Sequence, residues 1–218
     1  MKKRRDFSLV LVTDRALSLG RPIAAIVEAA ARGGVSAVQL REKTCPANKC
    51  VELARDIKKL LAPFGIPLMI NDRVDVALAA GADGVHLGQS DIPAADARKM
   101  LGPEAIIGLS VETLDQAAAA ENQDVDYLGV SPIFRTPTKT DTGEPWGLDG
   151  LGKVRALSRH RLVAIGGIDS SNAERVLAAG ADGLAVVSAI CAAADPEAEA
   201  RLLRGIIARH KIPVKDRE

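Results

Sequence analysis

The sequence predicts a (β/α)8 barrel. A short β-branched run, a loop carrying Gly, Asp or Ser, and an Ala/Leu/Arg/Glu-rich stretch recur eight times in 218 residues. That is about 27 residues per unit, at the compact end of what such barrels use. The strand candidates read as continuous apolar runs, the pattern of a parallel sheet buried on both faces. An internal echo adds support: AAGADGVHL at 79–87 and AAGADGLAV at 178–186 enter the fourth and eighth strands, half a barrel apart. The rival architecture, an open doubly wound sheet, usually has fewer strands, and no Gly-x-Gly-x-x-Gly marks the first turn.

The strands are expected at Ser8–Val12, Ala37–Leu40, Pro67–Ile70, Gly84–Leu87, Ile106–Leu109, Tyr127–Val130, Leu162–Ile165 and Gly183–Val187. Helices are expected after them, at Pro22–Arg32, Pro46–Leu61, Arg73–Ala80, Pro93–Leu101, Glu112–Asn122, Leu148–Arg159, Ser171–Ala179 and Pro196–His210. Start signals accompany several of these. Pro46 suits a first helical turn, and Asp195-Pro196 reads as a cap followed by proline. Ser171 with Glu174 has capping-box spacing. Gly81 and Gly180 stop their helices. The segment Ser131–Gly147 is polar and broken by proline, and a loop of that length is usually functional or disordered.

Composition narrows the function. The net charge is +1, from 29 basic and 28 acidic residues, so no global field points to nucleic acid or a membrane surface. Aromatic residues are 2%, too few for the stacking platforms of single-strand binders. No apolar run approaches the length of a membrane span. One domain is expected over residues 1–218, with residues 1–6 a flexible basic tail that lacks the apolar core of a signal peptide. Cys45, Cys50 and Cys191 form no even disulfide set, which suits a reduced, cytoplasmic setting. His86 lies in a strand candidate and can point into the barrel or out of it; a packed, hydrogen-bonded histidine is the expectation.

The chemistry-bearing residues fall at strand ends. Asp72 and Asp91 follow two successive strands, and residues just past the carboxyl ends of parallel strands line the ligand crevice. Such a carboxylate pair suits Mg2+, whose shell is completed by water and substrate phosphate. Both aspartates also read as helix caps. Alternation sends Gln39, Arg41 and Lys43 to one side, two cations and an amide that match a diphosphate, or else a charged loop leaving the barrel. Ser110 either caps the next helix or donates to a ligand. Thr136, Thr138 and Lys139 can clamp a phosphate. Gly166-Gly167 and Val187-Ser188 occupy the loops after strands seven and eight, where such barrels bind phosphate.

These segments resemble thiamine-phosphate synthases. The resemblance is carried by VTD at 12–14, GGVSAVQLREK at 33–43, INDRVDVALAAGADGVHLGQSD at 70–91, DYLGVSPIFRTPTK at 126–139, AIGGI at 164–168 and GADGLAVVSAI at 180–190. Ser131 departs from the glycine more common in the family. The resemblance implies a (β/α)8 transferase that joins hydroxymethylpyrimidine diphosphate to a thiazole phosphate, giving thiamine phosphate and pyrophosphate. By position it implies that Gln39, Leu40, Arg41, Glu42, Lys43, Asn71, Ser110 and Lys139 hold the pyrimidine diphosphate. It likewise implies Asp72 and Asp91 for Mg2+, and Thr136, Pro137, Thr138, Gly167, Val187 and Ser188 for the thiazole phosphate. Two alternatives remain: a thiazole tautomerase of the same superfamily, which needs neither diphosphate nor metal, and a non-catalytic phosphate-binding module. Joint presence of Gln39, Arg41, Lys43, Asp72 and Asp91 argues against the tautomerase. The sequence leaves the oligomeric state open.

Overall fold

The computed structural model describes residues 5–136 and 143–210. Among these, eight parallel strands close into a barrel in chain order, the eighth pairing back onto the first. The strands are β1 (Leu9–Val12), β2 (Ala37–Leu40), β3 (Leu68–Asn71), β4 (Gly84–Leu87), β5 (Ile106–Val111), β6 (Tyr127–Val130), β7 (Leu162–Ile165) and β8 (Gly183–Val186). The helices are α1 (Ile23–Gly33), α2 (Ala47–Leu61), α3 (Val74–Ala80), α4 (Ala94–Leu101), α5 (Leu114–Ala120), α6 (Gly147–Leu157), α7 (Ala173–Ala178), the short α8 (Ser188–Cys191) and α9 (Pro196–His210). The expected (β/α)8 architecture is the observed one.

The two-residue period of the strands separates two cores. Outward residues such as Leu9, Leu11, Leu40, Leu68, Ile70 and Leu87 join the apolar faces of the helices in one large cluster. Inward residues, among them Val10, Val12, Ala37, Met69, Ile106, Tyr127 and Val163, fill the barrel in a second cluster that includes Phe7. Each fully buried Leu or Ile stabilises the fold by roughly 1.5–3 kcal/mol. The same alternation decides which strand-end side chains reach the mouth of the barrel.

A repeated hydrogen-bond device closes the amino-terminal end. Ser36, Asp83, Asp126 and Asp182 immediately precede the even-numbered strands. Each accepts, through its side chain, the N–H of the first or second residue of the preceding odd strand. The pairs are Ser36 with Leu9, Asp83 with Leu68, Asp126 with Ile107 and Asp182 with Leu162, each at 2.9 Å. Each also donates its own N–H to the carbonyl of that same residue, at 2.7–2.8 Å. The echoed GADG segments therefore do the same work at both positions, supplying a carboxylate that stitches neighbouring strands at the end remote from the site.

Some boundaries differ from expectation. Strand β5 runs two residues further, because Ser110 and Val111 continue the ladder opposite Gly129 and Val130. Pro22, Pro46 and Pro93 sit at the N-cap positions of α1, α2 and α4, one residue outside the helix. The capping box at Ser171 does not form: Asn172 is the N-cap of α7, and the Ser171 hydroxyl donates to Asp169 Oδ1 at 2.6 Å. Asp195 does cap α9, accepting from the N–H groups of Glu197 and Ala198 at 3.0 Å. In the expected basic tail, residues 1–4 lie outside the described residues, while Asp6 accepts from Ser8 N–H and pairs with Arg204. No described helix is long and apolar enough to cross a membrane.

The stitching device predicts a specific cost. Asp83→Ala removes the side-chain acceptor of the buried Leu68 N–H and should destabilise the protein by about 1–3 kcal/mol, read from urea unfolding. A loss below about 0.5 kcal/mol, the range of an ordinary surface substitution, would contradict the device.

Candidate active site

The carboxyl ends of the strands surround one cavity of ≈ 340 Å³, within the size range of small-molecule sites. Gln39 from β2, Asn71 from β3, His86 from β4 and Ser110 from β5 face it, joined by Arg41, Lys43, Asp72 and Asp91 from the loops above. Thr136, Gly167, Val187 and Ser188 line the other side. Residues far apart in the chain thus meet because parallel strands place all their carboxyl ends on one rim.

Asp72 and Asp91 come together at that rim. Asp72 sits in the left-handed region, at φ 62°, which Asp and Asn tolerate better than most residues. Its N–H donates to His86 O at 2.8 Å, anchoring the residue to β4. Asp91 accepts the Gly88 N–H on Oδ2 at 2.7 Å. Neither aspartate caps a helix; the N-caps of α3 and α4 are Arg73 and Pro93. Both carboxyl groups line the one cavity. Burial, and then the charge of Asp91, push the Asp72 carboxyl up to about 6, against the opposing pull of Lys43 and Arg41.

A hard divalent cation fits this pair. Among the described residues no group of three or more His, Cys, Asp or Glu side chains could hold a metal. An ion at Asp72 and Asp91 would thus complete its shell with water and substrate oxygens, as Mg2+ usually does.

The cationic side is preset. Arg41 donates from Nη1 to Asp14 Oδ2 at 2.9 Å, and its backbone N–H donates to Thr13 Oγ1 at 2.9 Å. The pair is largely buried, with side-chain exposures of 15% and 13%, so Arg41 is aimed rather than free to sweep through solvent. Gln39 Nε2 donates to Asn71 Oδ1 at 2.7 Å, fixing both amides. On the facing side, a Cβ at Gly166 would stand 2.8 Å from Pro132 Cβ, and one at Gly167 2.8 Å from Phe134 Cβ. Glycine there lets the β6–α6 loop lie directly on the β7–α7 loop.

Two residues grouped with the diphosphate side do not line the cavity. Alternation turns Leu40 outward into the core between strands and helices. Glu42 is absent from the cavity wall and accepts two hydrogen bonds from Arg15, each at 3.0 Å. Pro137, Thr138 and Lys139 lie outside the described residues. Ser110 is not a cap, since Thr113 caps α5 through its side chain; the Ser110 hydroxyl lies 2.8 Å from His86 Nε2. His86 points into the barrel, packed and hydrogen-bonded. Asp14, Gln89, Glu112, Gln116 and Tyr127 were not singled out as site residues. Tyr127 was detectable as the sole tyrosine, on the inward register of its strand. The thiols stand apart: burial pushes Cys50 and Cys191 up to about 11.

Comparison with known proteins decides the family. A family model described as thiamine monophosphate synthase matches residues 9–190. The chain belongs to the thiamine monophosphate synthase family. It is 60% identical over 199 residues to a thiamine-phosphate synthase of Albidiferax ferrireducens, covering 91% of each chain. A thiamine-phosphate synthase of Moorella thermoacetica is 49% identical, over 94% of this chain and 97% of its own. Among solved structures, the thiamine phosphate pyrophosphorylase of Pyrococcus furiosus superposes with a TM-score of 0.86 at 38% identity, over 94% of this chain and 97% of that one. The orotidine 5'-phosphate decarboxylase of Pyrococcus horikoshii, at 16% identity and a TM-score of 0.67, shares the fold. The chain is accordingly an enzyme, a transferase.

The raised Asp72 carboxyl predicts a pH signature. Its folded value, about 6, exceeds the usual 3.8. Stability linked to the bound proton is full below the unfolded value and lost as pH rises through about 6. In metal-free protein, Asp72→Asn should therefore raise the melting temperature at pH 7.5 and by less at pH 4.5. Asparagine also keeps the left-handed backbone. Equal shifts at the two pH values would contradict the assignment.

Proposed function

We propose that this enzyme transfers the hydroxymethylpyrimidine group from its diphosphate to the nitrogen of a thiazole phosphate, with Mg2+, giving thiamine phosphate and pyrophosphate. The supporting observation is the convergence on one cavity of Asp72 and Asp91 with Gln39, Arg41 and Lys43, opposite Gly167 and Val187-Ser188. The reaction joins two small molecules, in the cytoplasm, with no nucleic acid or membrane partner.

The residues suit a dissociative C–N bond formation. The bond between the pyrimidine methylene and the diphosphate oxygen breaks, and its electron pair leaves with pyrophosphate. The electron-rich aminopyrimidine stabilises the resulting cation, and the thiazole nitrogen lone pair closes the new bond to give the thiazolium. No proton is removed, so no general base is required. Arg41 and Lys43, with Lys139, stabilise the departing charge. Asn71, Gln39 and Ser110 orient the pyrimidine diphosphate. Gly167, Val187, Ser188 and the residues Thr136 to Thr138 anchor the second phosphate, holding the nucleophile at the reacting carbon. Asp72 and Asp91 would hold Mg2+, which when bound neutralises diphosphate charge.

Pyrophosphate release from the purified protein tests this reading. Release should require both substrates and Mg2+ and stop with a chelator. Asp72→Asn and Asp91→Asn should each lower kcat by about 10²–10³, the usual effect of deleting one preorganised charge-stabilising group, with unfolding still cooperative. Release without the thiazole partner, or unchanged rates in both variants, would overturn it.

A further inference from the structure

The floor of the cavity carries two polar side chains, His86 and Tyr127, that the proposed chemistry leaves unused. His86, Gly108 and Tyr127 stand side by side on β4, β5 and β6, Gly108 being paired in register with both of the others. A Cβ on Gly108 would lie 2.4 Å from Tyr127 Oη and 2.6 Å from His86 Nδ1, and one on Gly129 would lie 2.8 Å from His86 Cε1. Two glycines thus clear the space in which the rings stack, with centroids 5.5 Å apart. Phe7 closes the far side of Tyr127, at 4.8 Å. Tyr127 is 2% exposed and His86 9%.

The hydrogen-bond distances give the chain from Tyr127 through His86 to Ser110 a direction. Tyr127 Oη lies 2.8 Å from His86 Nδ1 and 3.6 Å from Met69 Sδ. A phenol has one proton, and an imidazole nitrogen at 2.8 Å is a far better acceptor than a thioether at 3.6 Å. Burial pushes the Tyr127 phenol up, so it keeps that proton. With Nδ1 accepting, the neutral ring carries its proton on Nε2. That N–H points at Ser110 Oγ, 2.8 Å away. The Ser110 oxygen is therefore an acceptor on its inner side, and its own proton is left for the cavity. A doubly protonated ring would also donate from Nε2, leaving the outward polarity unchanged.

We propose that Tyr127 and His86 are positioning residues that hold the Ser110 hydroxyl as a hydrogen-bond donor toward the cavity, so that the ligand must present an acceptor there, a diphosphate oxygen or an unprotonated ring nitrogen. The naming of that ligand rests on the synthase reading; the polarity of the chain does not.

Nitrogen-15 NMR of the three histidines, with His86→Gln identifying the His86 signals, reads the chain directly. A bare Nδ1 and a protonated Nε2 are expected, and loss of that preference in Tyr127→Phe. A ring protonated on Nδ1 and bare on Nε2 would overturn the proposal. The spectrum needs no turnover, so it decides the matter whether or not pyrophosphate is released. In kinetics, Tyr127→Phe should raise KM for the pyrimidine diphosphate about five- to tenfold, the worth of roughly one hydrogen bond, with KM for the thiazole phosphate unchanged. His86→Gln, whose amide can still donate to Ser110, should keep a lower KM than His86→Leu. Equal rises for both substrates, or no difference between the Gln and Leu variants, would reduce the two residues to packing and contradict the assignment.

Discussion

Like-charged oxygens resist being brought together, and burial makes their approach costlier. The barrel nevertheless brings Asp72 and Asp91 to one cavity, where burial and the charge of Asp91 push the Asp72 carboxyl up to about 6. It does so with a left-handed backbone at Asp72 and with backbone N–H contacts on either side, from Asp72 to His86 O and from Gly88 to Asp91. Neither carboxylate is spent on a helix end. A pair held against its own repulsion, beside Arg41 and Lys43, is preorganised for a ligand that carries a cation together with several anionic oxygens. The rest of the site is arranged around that contact.

The division of labour between the barrel's two ends follows from parallel strands. At the amino-terminal end, Ser36, Asp83, Asp126 and Asp182 satisfy the first free N–H groups of the neighbouring strands, and their polar chemistry is consumed by stability. At the other end Gln39, Asn71, Asp72, Ser110 and Asp91 keep donor and acceptor capacity toward the cavity, their positions set by interactions on the far side of each group. Asp14 aims Arg41 and His86 holds Ser110. The barrel interior beneath is not simply filler, since Tyr127 carries order from the apolar core up to a side chain at the cavity wall.

Much of this was legible in the sequence. Strands at Ala37–Leu40, Gly84–Leu87, Tyr127–Val130 and Leu162–Ile165 coincide with those observed, because parallel barrel strands are short apolar runs bounded by polar residues. Alternation correctly put Gln39, Arg41 and Lys43 on one side. Applied to the same run, it also turns Leu40 and Glu42 away, which matching by position alone passed over. What escaped was long-range pairing. The opposed Asp14 and Arg41 and the His86–Tyr127 stack over Gly108 depend on register, which no local pattern encodes; at α7 the miss was local, with Ser171 turned to Asp169 and Asn172 at the helix start. The echoed GADG segments, half a barrel apart in the sequence, are equivalent hydrogen-bonding devices in the structure.

The central claim is that Asp72 and Asp91 share one divalent ion whose remaining shell comes from a diphosphate lying against Arg41 and Lys43. A crystal of the protein with pyrophosphate and Mn2+, the ion standing in for Mg2+, tests it through anomalous scattering. The account predicts one Mn2+ peak touching a carboxylate oxygen of each aspartate, directly or through one water, with pyrophosphate bridging from the ion to the two cations. An ion bound away from either aspartate, or pyrophosphate seated elsewhere in the cavity, would contradict it.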